Sequence, residues 1–286
     1  MKKLSIVLLS VLLLIVFVGC DLSVETMGKM GNNLAGTDKN YVASIIKQTE
    51  PEAAKKKDED GKITITGSNF SISASEGKGS ISIGGKDVKV PSELQTAINK
   101  VLTDSEFSSI ILPTDISDIV LGVKSGSNSE IIKEELKKTA KDDSLKAAQG
   151  TVTLVNAMLD EVQKAVKDDD PEGGFDEVIK DIKGFLPDKG SITNGDVVVL
   201  TALTNIVFNE NVLSNVGSIM EKPESPSDKD AQDKYDSAMK EVTGEMMNQV
   251  SSLLDVVTNV PSGMSNKIND FINNLMDNSD NKEESK

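Results

Sequence analysis

Apolar residues recur every third or fourth position over most of the chain and every second position in one short stretch. From Leu145 the series Leu145, Ala148, Val152, Val155, Leu159, Val162 and Val166 keeps a strict three-four alternation, with Asp142 and Asp143 placed to cap its start. That spacing predicts an amphipathic helix whose single buried stripe suits left-handed antiparallel packing. Met239, Val242, Met246, Val250, Leu253, Val257 and Val260 repeat the pattern with one slip until Pro261 stops it, and Met264, Ile268, Phe271 and Leu275 predict a further short helix. Residues 197–220 are apolar on nearly all sides, which predicts a central helix surrounded by the others. Smaller helices are predicted at 41–48, 92–103, 129–140 and 175–185, the second with Ser92 as N-cap after Pro91.

Between Ile63 and Val90 the period falls to two. Ile63, Ile65, Phe70, Ile72, Ala74, Ile81, Ile83, Val88 and Val90 alternate with serine, threonine or lysine, and Gly67, Gly77, Gly79, Gly84 and Gly85 stand at the breaks. This predicts three or four short antiparallel strands joined by tight turns. A ribbon of that size is not stable alone in water and must lean on the helices. The expected fold class is mainly α, a multi-helix bundle with a small antiparallel β ribbon inserted near the N-terminal third. The strands are gathered in one place, which disfavours a doubly wound sheet. The apolar stripes could instead dock partner helices in an oligomer, but several stripes of similar length in one chain can satisfy each other, which favours an intramolecular core. Composition shifts divide the chain further. Residues 50–62 form a charged linker, 63–90 the ribbon, 91–276 the helical bundle with a loop at 221–230, and 277–286 a disordered acidic tail.

The amino terminus follows a different rule. Lys2 and Lys3 precede an apolar run over residues 4–18, broken only by Ser5 and Ser10, and small Gly19 comes before Cys20, the only cysteine. That is the order of an export signal. As a helix the run would reach about 22 Å, short of the roughly 30 Å hydrocarbon layer, so a permanent span is disfavoured.

The residues Phe17-Val18-Gly19-Cys20 resemble the lipobox of bacterial lipoproteins, in the relaxed, spirochaete-type form because Phe17 stands where leucine is usual. The resemblance covers these four residues and demands a cysteine directly after the apolar segment. It implies that Phe17, Val18 and Gly19 are recognised by the lipoprotein signal peptidase, that residues 1–19 are removed as a signal peptide, and that Cys20 carries a thioether-linked diacylglyceryl group and an N-acyl chain. Residues 20–49 would then open the mature chain as an N-terminal segment with a short helix. Asp21 follows the cysteine, and in many double-membraned bacteria aspartate there retains lipoproteins on the inner membrane. Spirochaete-type systems do not keep that rule reliably, so a periplasm-facing and a surface-exposed body both stay open.

Charge changes the choice of partners. The 31 cationic side chains are all lysine and face 46 acids, for a net charge of -15, and losing Lys2 and Lys3 with the signal makes the body more acidic still. Such a body is repelled by anionic head groups and by nucleic acid phosphates, so membrane binding falls to the lipid and no nucleic acid partner is expected. An acylated Cys20 leaves no thiol, and stability must come from packing without disulfides.

The residue inventory also narrows the chemistry. With no histidine there is no Ser-His-Asp triad, no Cys-His pair and no His-ligated metal. Ser44 with Lys47 and Ser75 with Lys78 match an S-x-x-K spacing, but no S-D-N or K-T-G completes that set, and the spacing arises by chance in a chain rich in both residues. Residues 168–173 open like a calcium loop, with Asp168, Asp170 and Glu172 as the oxygen donors and Gly173 at the sixth place. Pro171 interrupts that loop and Ile179 occupies its twelfth place, where a bidentate glutamate is needed. A solvated acidic turn is the simpler reading, there and at residues 58–60. Few aromatics are present to build a sugar cleft. The expectation is a noncatalytic envelope lipoprotein with no cofactor, bound to the membrane through its lipid and to envelope or host proteins through its body. A solute-binding lipoprotein of a transporter is the alternative.

Overall fold

The structure is a computed structural model and describes residues 55–67, 70–88, 90, 92–106, 109–112, 116, 119, 120, 123, 129–166, 174–207 and 229–272. The described chain is mainly helical, with one small antiparallel sheet near its start. Strands β1 (Lys55–Lys57), β2 (Ile63–Thr66), β3 (Phe70–Ser75), β4 (Lys78–Ile83) and β5 (Lys86–Val88) pair in sequence order as a meander. Helices α1 (Ser92–Thr103), α2 (Ser129–Lys137), α3 (Asp142–Val166), α4 (Gly174–Phe185), α5 (Asn194–Val207) and α6 (Lys229–Asn259) follow, and a further helix, α7, is described over residues 263–272. The predicted helix at 41–48, the outer part of the apolar stretch at 208–220, Leu275 and the tail at 277–286 lie outside the described residues.

The sheet is one strand larger than the alternation predicts. β1 lies inside the stretch read as a charged linker and pairs Lys55, Lys56 and Lys57 with Ile65, Thr64 and Ile63. Three consecutive lysines carry no period-two signal, and the turn supplies the register instead. The Asp58 amide donates to the Lys62 carbonyl, the Lys62 amide donates to the Asp58 carboxylate at 2.8 Å, and Gly61 takes a φ of 82°. Lys55 falls on the inner face beside Ile65, and its amine donates to the carbonyl of Asp104. Burial pushes that amine below its ordinary pKa, and the charge of Asp104 offsets part of the shift. A strand of lysines also protects a sheet edge from pairing with another chain.

β3 and β4 are joined by Glu76 and Gly77 at φ 51° and 79°, the two positive values of a type I′ hairpin turn. Gly84 and Gly85 repeat the device between β4 and β5. Glutamate in the left-handed region costs roughly 1 kcal/mol, whereas asparagine tolerates it. Glu76→Asn is therefore expected to stabilise the fold by about 0.5 kcal/mol, read as a higher urea midpoint with unchanged slope. A lower midpoint would contradict the turn assignment.

The sheet's inner face carries Ile65, Ile72, Ala74 and Ile81, all buried, and α1 covers it with Leu94, Ala97, Ile98, Val101 and Leu102. The sequence pattern places Gly79 at a turn, but the residue sits within β4 opposite Ala74. A Cβ there would lie 2.3 Å from the Ile98 Cβ and 2.7 Å from the Gln95 carbonyl oxygen, so the bare backbone is what lets α1 lie so close.

A second core is built by helices. Ile132 and Leu136 of α2, residues 197–200 of α5, Leu253, Val256 and Val257 of α6, and Met264 and Ile268 of α7 are buried together. Helix α3 serves both cores. Ala147, Ala148 and Val152 join the helical core, while Leu154, Ala157 and Met158 join the sheet's core. The segment before α2 alternates in the same way, with Ile110 and Leu112 in the sheet's core and Ile111 in the helical one. Buried Thr151 fixes that segment, accepting from the Ile111 amide at 2.6 Å while donating to the Ala147 carbonyl at 2.8 Å.

Two helix limits differ from the spacing. α2 ends at Lys137 rather than 140, because Thr139 forms an antiparallel bridge with Thr193 and the Ala140 amide donates to Ile192. α6 begins at Lys229, so the last two positions of the predicted 221–230 loop are helical, and residues 221–228 lie outside the described residues. α1, α4 and α3 start and end close to their expected positions. Asp142 opens α3 with a φ of 51°, and Asp143 follows it in the first turn, near the positive end of the helix dipole.

Candidate functional site

The lipobox residues Phe17, Val18, Gly19 and Cys20 lie outside the described residues, as do Ser44, Lys47 and Asp168 to Gly173. The remaining candidates fall where ordinary folding accounts for them. Ser75 and Lys78 are register partners flanking the β3–β4 turn, and both are exposed. Their three-residue spacing is thus the length of a two-residue hairpin loop. Ile179 is fully buried in α4, so its position serves packing rather than a cation. The 58–60 acids belong to the β1–β2 turn, where the Asp58 carboxylate already accepts from Lys62. No group of three or more carboxylates that could hold a metal ion occurs among the described residues. No described helix is long and apolar enough to cross a membrane.

Charges of α2, with Lys138 just past its end, form a row of i,i+3 pairs, with Lys133, Lys137 and Lys138 against Glu130, Glu134 and Glu135. The hydrogen bond from Lys137 holds the Glu134 carboxyl below its usual range, and the same contact raises Lys137. Both groups are fully exposed, so water and salt screen the pair. Lys183 of α4 instead reaches across to α3, donating to Asp160 at 2.7 Å and to Gln163 at 3.1 Å.

A larger polar constellation that folding brings together from distant segments is centred on Asp196, 2 % exposed in the first turn of α5. One carboxylate oxygen accepts from the Thr193 amide at 3.0 Å and from its hydroxyl at 2.8 Å, while the Thr193 hydroxyl accepts from the Asp196 amide at 3.1 Å. That is a capping box around the α5 N-terminus. The other oxygen accepts from the Met264 amide at 3.0 Å, in the first turn of α7. Ser262 caps the same turn, its hydroxyl accepting from the Ser265 amide at 2.9 Å, and the Ser265 hydroxyl donates to Val260 at 2.7 Å. Asn194 adds the C-terminal end of α2, donating to the carbonyl of Glu135 through its side chain and to Lys138 through its amide.

One negative charge therefore faces the positive ends of two helices, which is the favourable sense of both dipoles. Gly195 permits the approach, since a Cβ there would stand 2.3 Å from the Pro261 carbonyl oxygen. Both Asp196 oxygens are engaged by protein donors, so the cluster acts as a joint between elements. The sequence signal for it was present, because Thr193 and Asp196 have the T-x-x-D spacing directly before the apolar run of α5. The reach to Met264, 68 positions on, has no such local mark.

The chain matches no family model, no curated protein and no solved structure.

Proposed function

We propose that this chain is a lipoprotein of the cell envelope, held to a membrane by acyl chains on Cys20 and acting through protein contacts of its body rather than through catalysis. The observation that carries the reading is Phe17-Val18-Gly19-Cys20 at the end of the apolar run over residues 4–18, with the only cysteine in the modified place. The acidic composition supports it, since a chain of net charge -15, more negative still once Lys2 and Lys3 leave with the signal, needs the lipid to stay on an anionic surface. In this reading residues 1–19 are the signal peptide, the helical part is a bundle, the sheet leans on its first helix, and the body faces the periplasm or the cell surface. The lack of histidine and arginine supports a contact role, because general-base and anion-clamp chemistry lose their usual carriers.

Crosslinking in intact cells tests the contact role, and protease shaving of separate intact cells tests outward exposure. Reproducible crosslinks to particular envelope or host proteins are the expected result. Recovery as an isolated monomer under every crosslinking condition would contradict the reading.

A further inference from the structure

We propose that α7 is a releasable clasp on the helical core, closed by the Asp196 carboxylate. Helices in folded proteins draw most of their stability from tertiary packing rather than from intrinsic propensity, and the described part of this one covers residues 263–272. It is therefore held by what it touches. Residues 260–262 join it to α6, and Pro261 stops the two from merging into one continuous helix. Its anchors among the described residues are distinct in kind. The Met264 amide donates to Asp196, the Lys267 amine donates to the Leu186 carbonyl at 3.1 Å, the Asn269 side chain donates to Val257 at 3.0 Å, and the Phe271 ring meets Phe185 edge-on with centroids 5.0 Å apart. Among its described residues Met264 and Ile268 are buried apolar side chains, and Ile272 packs partly buried against the same core.

The Asp196 anchor differs from the others in kind. A carboxylate accepts with both oxygens, and here each oxygen has a donor, one set on α5 and one on α7. An amide of the same shape has one accepting oxygen and must turn its NH2 group toward a backbone N–H on one side or the other. The same group thus completes its own helix and holds another, and the second task is the one whose loss frees a segment. Release of α7 would uncover the Phe185 ring and the end of α4 and open one side of the helical core, while the sheet and α1 belong to the other core and would stay closed.

Amide hydrogen exchange on the full-length protein tests the clasp. In the wild type, amides of residues 263–272 are expected to exchange as one group and faster than those of α5 and β3, as for a sub-global opening. Asp196→Asn should raise exchange across 263–272 at least about tenfold, the effect of losing a charge-assisted hydrogen bond, with β3, β4 and α1 unchanged. Phe271→Ala removes a different anchor and should raise the same group, which keeps the test valid if the Asp196 variant fails to fold. Exchange of 263–272 only together with the whole chain, or a rise spread equally over sheet and helices, would overturn the proposal.

Discussion

Cys20→Ala is expected to abolish incorporation of labelled palmitate and to leave a precursor that keeps residues 1–19. A single myristoyl-sized chain gives marginal binding, two signals give stable anchoring, and at about 0.8 kcal/mol per buried methylene two long chains supply on the order of 20 kcal/mol of gross burial. A net charge of -15 sets the chain against an anionic bilayer, and no described helix is long and apolar enough to cross one. The variant should lose the acylated form entirely, and Cys20→Ser should behave alike, since the thioether needs sulfur. Continued labelling of either variant would show that acylation occurs elsewhere and would remove the basis of the functional proposal.

Gly79→Ala is expected to be the most damaging small substitution in the sheet. The added methyl would stand 2.3 Å from Ile98 Cβ and 2.7 Å from the Gln95 carbonyl oxygen, and neither atom is the loose end of a flexible side chain. To make room α1 must lift from β4, which separates Ala97, Ile98 and Val101 from the isoleucines beneath them. Overpacking of this type costs about 3 kcal/mol. Gly184→Ala provides the opposite sign from the same chemistry. It lies in α4 with nothing within 4 Å of the new methyl, so removing a helical glycine should stabilise by about 0.7 kcal/mol. Urea unfolding of both variants beside wild type checks the pair. Equal effects would mean that α1 does not rest on the β4 backbone.

These two glycines show what the sequence disclosed and what it withheld. Periodicity located α1, α3, α4, α6 and α7, because each buries at least one stripe and a stripe is written in the spacing. It found only half of what α3 does. The series through Ala148 and Val152 marks the face toward the helical core, while Leu154, Ala157 and Met158 serve the sheet, and a second buried face blurs rather than sharpens the period. α5 was legible as an all-round apolar helix, and its Thr201 and Thr204 are buried without loss because each hydroxyl donates to a backbone carbonyl of its own helix.

Strand β1 was hidden because lysines pair there by virtue of the Asp58–Lys62 turn and not by hydrophobic alternation. Gly79 was misplaced at a break because a glycine chosen for close approach looks like a glycine chosen for a turn until its neighbour is known. The Asp196 joint was half legible, since its local capping box is a sequence pattern and its bond to Met264 is a tertiary event. The S-x-x-K pair at Ser75 and Lys78 reduces to hairpin geometry. The proposed anchor belongs to the opposite class. It is written in four consecutive residues and depends on a processing enzyme rather than on packing.

The most direct measurement is mass spectrometry of the first peptide of the protein isolated from its own cells. The account predicts a chain that begins at residue 20, with a diacylglyceryl thioether on the cysteine sulfur and an acyl group on its amine. A free thiol at Cys20, or a peptide still carrying the residues before it, would contradict the account.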